Sequence, residues 1–244
     1  MLKKLTTQIE NNRRKMNNQT VSPTSKVNST PSSSMTTEKL WLICGILSSI
    51  LYVIATIVGA LTWKEYDSIS QSVSELMAID SPSRPFVVPL FLLYNPLIIA
   101  FGWGIWKSAG QKQSRRILAG LLMGYGTISL IGPFVPMHMR GVPGSLTDTL
   151  HIAVTMILVL FIFLIIGFGS NTFGKGFRLY SIGTIVVLLI FGIWMGPDGA
   201  NIAANLPTPL AGVKERVLIF SFLLWIVILA GGLLKAQSHS MKKD

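Results

Sequence analysis

Four ionisable residues crowd one short stretch of the chain: His138, Arg140, Asp148 and His151. Their types are those of acid/base chemistry, of anion binding or of a metal site. Asp148 and His151 are three apart, so on a helix they project from one face. Pro133 and Pro136 end one apolar block, and Gly141 with Pro143-Gly144 makes a tight return, so a turn could bring His138 back to His151. Glu75 or Asp67 from an earlier connection would add a carboxylate.

Three uses compete for this group. His138, His151 and Asp148 could ligate a divalent metal such as zinc, leaving a fourth position to a water whose pKa the ion lowers for hydrolysis. Without metal, Asp148 would orient His151, Glu75 would act as base or as ion-pair partner, and Arg140 would hold a phosphate or carboxylate, with His138 and Asp67 beside it. In a purely structural use Asp148 caps a helix, His151 bonds a neighbouring helix, His138 is a loop residue, and Arg140 pairs with Glu75 or Glu215.

The elements that must position these residues are membrane spans. Half of the 244 residues are apolar, only 13% are charged, and mean hydropathy is +0.56. The apolar residues gather into six blocks near the ~20 residues that cross a hydrocarbon core: 40–63, 86–106, 117–137, 149–168, 179–195 and 217–234. The expected fold is all-α, an integral membrane bundle of six transmembrane helices. A short amphipathic helix should lie at the outer face, because Ile69, Val73, Leu76 and Met77 recur at helical spacing. Its acids have capping positions available, Asp67 at an early turn and Glu75 three after Ser72.

Charge sets the expected orientation. With the N-terminus inside, Lys64, Arg84, Arg140, Lys214 and Arg216 are the five basic residues outside, and 21 less these leaves 16 inside. Seven acids, including Glu75, Asp148 and Glu215, fall outside. The positive-inside rule then gives a plasma-membrane protein with both termini cytoplasmic. The formal charge of +11 follows the membrane and so does not indicate nucleic acid.

Residues 1–38 read as a disordered polar and basic cytoplasmic head, 39–235 as the transmembrane domain and 236–244 as a cytoplasmic tail. Met35 is an alternative start, and no cleaved signal precedes the first block. Cys44, the single cysteine, reads as packing, and His239 lies in the tail, away from the site. Within the second block, Pro89 and Asn95-Pro96 should kink the helix. Asn95 is the deepest strong hydrogen-bonding side chain, a packing bond or a ligand contact. Gly120-x-x-x-Gly124 and Gly126 in the third block form a small-residue face.

Taken in order, Tyr66-Asp67-Ser68-Ile69-Ser70 with Ser74-Glu75-Leu76, Tyr94-Asn95-Pro96, Pro136-Met137-His138-x-Arg140-Gly141 with Asp148-x-x-His151, and Glu215-Arg216 resemble a family of bacterial and archaeal multi-pass membrane proteins, domain of unknown function 998. The resemblance spans about 40–234 and implies a bundle of six or more helices, with no established activity. In ingredients alone the chain is also similar to zinc-dependent membrane hydrolases of the alkaline ceramidase type, but it lacks their His-x-x-x-His pair in the last span.

The expected function is binding of a lipid or other small anionic ligand in an outer-face polar pocket, the bilayer being the surrounding partner. Alternatives are an intramembrane hydrolase, with or without zinc, acting on a lipid-type substrate, and a transporter of a neutral solute past Asn95. The spans carry no charge at mid-membrane, which argues against a proton-coupled pump. Oligomeric state is open.

Overall fold

The structure is a computed structural model that describes residues 33–240, with side chains described from 37 to 238. The disorder expected for 1–38 falls mostly outside the described residues, as do the His239 side chain and the chain end. Seven α-helices and two short 3-10 turns make up the described elements: α1 Ser33–Thr62, α2 Arg84–Ser108, α3 Gln113–Ser129, α4 Leu146–Gly169, α5 Lys175–Met195, α6 Asp198–Ala203 and α7 Ala211–Ser240. Six stretches are long and apolar enough to cross a membrane, and among the described residues there is no strand. In hydrocarbon every backbone polar group must be satisfied within its own segment, which is why uniformly apolar blocks of this length become helices.

Association of such helices cannot draw on burial from water; it depends on close van der Waals packing. Gly102 of α2 meets the Ala119 carbonyl and Met123 of α3, and Gly126 of α3 meets Ile99 and the Asn95 carbonyl of α2. The small-residue face of α3 is split: Gly124 receives the Phe161 ring of α4, whereas Gly120 faces open space. α1 lies against α2 through Gly45 on the Phe101 ring, and against α7 through Ser49, whose hydroxyl donates to the Leu223 carbonyl at 3.2 Å. At the centre Trp225 of α7 is fully buried, donates to Ser181 of α5 at 2.9 Å and fills the notch at Gly169 of α4.

α4 and α5 are the least buried of the six spans. The buried residues of α4, Ile165, Ile166 and Gly169, are all in its last turns, and those of α5 are Ser181, Thr184 and Leu188. α4 leans on α3 and α5 on α7, but the two meet each other little. Their far halves therefore stand apart, towards the end of the bundle that carries the three longer connections.

Those connections depart from the sequence expectation in three places. The expected amphipathic helix is instead a folded loop ending in one 3-10 turn, Ser74–Met77, because Val73 and Leu76 turn into the bundle while Ile69 stays exposed. The third span does not continue as α-helix to Met137: α3 stops at Ser129 and a 3-10 turn, Gly132–Phe134, carries Pro133. Finally, Lys214, Glu215 and Arg216 are not loop residues but belong to the first turns of α7, and α6 forms in the connection before it. Charge is tolerated in α7 because each of the three side chains has a partner there.

Candidate functional site

The polar residues at this end divide into two layers. In the first, the connections are tied to one another. Arg140 clamps Glu75 with two bonds, Nε to Oε1 at 2.6 Å and Nη2 to Oε2 at 2.9 Å, and also donates to Thr208 Oγ1 and to the Ser70 carbonyl. Glu75 is 1% exposed and accepts in addition from the Ser72 amide at 2.7 Å. One ion pair thus joins all three connections. A bidentate guanidinium–carboxylate pair of this kind is directional as well as strong.

Beside it, Glu215 accepts from the Val73 amide and from Ser74 Oγ, and Arg216 donates to the carbonyls of Ser68 and Gln71 and to the Tyr66 hydroxyl at 2.8 Å. Burial pushes the Tyr66 phenol up to about 12 even though Arg216 opposes the shift, so it serves as a neutral hydroxyl. Asp67 is exposed and accepts from Ser70 Oγ and the Ile69 amide, which hold its carboxyl below the usual range. Lys214 pairs with Asp198, and its ammonium sits 5.2 Å from the Trp194 ring centre, fixing α6 to α7. Gly141 turns the chain at φ 75° against Asn205, itself at φ 55°, a region that disfavours a side chain.

The second layer surrounds a cavity of about 700 Å³ between α4, α5 and the rest of the bundle. Its rim carries His138, Asp148 and His151, and Ser72, Ser74 and Glu215 also line it. Aliphatic residues such as Val159, Ile162, Leu188 and Leu189 form its walls, and Tyr52, Tyr94, Asn95 and Tyr125 line its depth.

At the rim the pairing differs from the expected one. Asp148 orients His138, not His151: the carboxylate accepts the His138 amide at 2.8 Å and meets His138 Nδ1 at 2.7 Å, while also closing a capping box with Ser145. The reason is that the return through Gly141 folds His138 onto the first turn of α4, whereas His151 lies one turn deeper. His151 Nδ1 meets the Val135 carbonyl at 3.0 Å. A carbonyl only accepts, so Nδ1 of His151 carries the proton, and its Nε2 is left with a free lone pair when the ring is neutral. Among the described residues His138 Nε2 is likewise without a hydrogen-bond partner.

The residues singled out from the sequence therefore separate. Asp67, Glu75 and Arg140 belong to the tied connections; His138, Asp148, His151 and Asn95 line the cavity. Arg140, expected to meet an anionic ligand, spends its Nε, Nη1 and Nη2 inside the protein. Among the described residues no group of three His, Cys, Asp or Glu side chains converges as a metal would need, since His138 and His151 turn to different partners. Thr208, Tyr52 and Tyr125 escaped sequence reasoning, Tyr94 entered only through the resemblance, and Glu215, read as a possible partner of Arg140, instead holds Val73 and Ser74. Their signal was present: polar handles inside apolar runs and charges at the start of a span are costly unless used.

Neither the curated proteins nor the solved structures provide a match to this chain. The family model described as "Protein of unknown function (DUF998)" matches residues 46–232, from the middle of α1 to the last turns of α7, and the chain therefore belongs to that family.

Proposed function

We propose that this membrane protein binds a lipid-type amphiphile, with the apolar part in the cavity and the polar part at the His138 and His151 rim, on the extracytoplasmic face of the plasma membrane. The observation that carries the reading is the parting of α4 and α5, which leaves an aliphatic-walled space beside the lipid with ring nitrogens at its edge. Pockets of 300–1,000 Å³ are the usual size for such ligands. Recognition of the polar part rests on hydrogen bonds to imidazole and not on a free cation, since Arg140 and Arg216 are engaged elsewhere. A neutral-solute transporter has less support, because the buried Ile98, Phe101, Leu122 and Phe222 form the packed core.

Gly192 lines the cavity and has open space where a side chain would begin, so Gly192→Trp fills it without disturbing the backbone. Native mass spectrometry of the purified protein should show lipid adducts on the wild type and about tenfold fewer on the variant, at equal melting temperature. Equal adducts on both would remove the reading.

One observation favours a hydrolase as a second reading. Asp148 bound to His138 Nδ1 leaves Nε2 for proton transfer, the orientation that a carboxylate gives a general base. Release of fatty acid from a lysophospholipid, lost on His138→Gln with binding retained, is the outcome that this reading requires.

A further inference from the structure

Asn95 is 1% exposed and lies mid-way along α2. Its Nδ2 donates to the Phe91 carbonyl at 3.1 Å, which fixes the amide's orientation because that carbonyl can only accept. Oδ1 is then turned the other way, and it is buried with no hydrogen-bond partner among the described residues. Buried polar atoms are almost always paired, so an acceptor left over in a wall of a cavity calls for a donor from outside the chain. Beside it the hydroxyls of Tyr94 and Tyr125 stand 3.5 Å apart, both residues buried and both lining the same cavity. One of their two O–H groups serves the pair and the other is available.

We infer that the deep end of the cavity is a second polar subsite, in which Asn95 Oδ1 and the Tyr94–Tyr125 hydroxyls take a neutral hydroxyl or amide group of the ligand. The bound amphiphile is then polar at both ends, one at the histidine rim and one about 16 Å along α2 from Arg84, at 1.5 Å per helical residue. This rests on the lipid-type reading of the cavity and narrows it. Asn95, Tyr52, Tyr94 and Tyr125 supply acceptors and donors but no charge, so a charged terminus would be left uncompensated there while a hydroxyl or amide finds both kinds of partner. The position is rigid: Gly126 brings the α3 backbone against the Asn95 carbonyl, and a side chain there would not fit. Water could fill the same valence, and a ligand hydroxyl that merely replaced an equivalent water would gain nothing.

The test is displacement of a fluorescent lysophosphatidylglycerol from the full-length purified protein. The competitors are unlabelled lysophosphatidylglycerols of graded chain length, each beside its counterpart with a hydroxyl on the terminal carbon. At the length that reaches Asn95 the hydroxylated lipid should compete about tenfold better than the plain one, reversing the order that an apolar pocket sets. Asn95→Leu should abolish that preference, the plain lipid then competing at least as well as its hydroxylated counterpart. If that variant does not fold, the wild-type pair decides alone. A plain lipid that competes as well as its hydroxylated counterpart at every length overturns the second subsite and leaves the lipid reading standing. Failure of both the plain and the hydroxylated lipids to displace the probe at every length overturns both readings.

Discussion

The tied connections and the cavity rim are equally rich in polar groups and lie side by side, yet they are satisfied in opposite ways. Around Glu75 and Arg140 the donors and acceptors are matched inside the protein, down to Thr208 Oγ1 and the Ser70 carbonyl. Around the cavity His138 and His151 each use one ring nitrogen and keep the other, and Asn95 keeps its oxygen. Internal matching marks a part whose work is to hold geometry. Leftover valence marks a part whose partner comes from elsewhere.

Substitutions should break the two regions differently. Arg140→Ala leaves Glu75 buried and unpaired and should cost about 3–5 kcal/mol, with loss of folded yield, whereas Glu75→Leu/Arg140→Leu together should recover most of it. Unfolding in detergent by a graded denaturant checks both; a mild single variant would mean that the clamp does not hold the connections.

Gly212 comes next. A Cβ there would run into the carbonyls of Ser68 and Gln71, and Val213 donates to the Ile69 carbonyl at the same contact. Gly212→Ala should therefore cost about 1–3 kcal/mol in the same unfolding measurement, by prising α7 from the first connection.

His151→Ala sharpens the contrast from the other side. It removes a bond to Val135 from a half-buried ring, so about 1 kcal/mol of stability is expected, while lipid retention should fall severalfold. A large stability loss with unchanged retention would move His151 to the structural group.

The smallest effect concerns Asp67. Its folded-state value is lowered, chiefly by the Ser70 hydroxyl and then by the Ile69 amide. The stabilisation is complete above the ordinary carboxylate range of about 4 and is lost as pH falls through the folded value beneath it. Melting temperature should thus drop slightly more steeply with acid in the wild type than in Asp67→Asn, which has no carboxylate to protonate.

Composition and block length determined the membrane fold, because hydrocarbon leaves a chain of this kind few alternatives to six helices. Ser145-x-x-Asp148 likewise marked the start of α4, since a cap is decided by neighbours in sequence. What tertiary structure decided was partnership. Glu75 and Arg140 meet across two connections, Asp148 takes His138 in place of His151, and Glu215 with Arg216 joins α7 to the loop before α2. Helical spacing places residues on a face but carries no information about which face of another element will come to it. The parting of α4 and α5 was equally hidden, for the physical reason that a wall facing lipid and a wall facing a cavity are built from the same aliphatic residues.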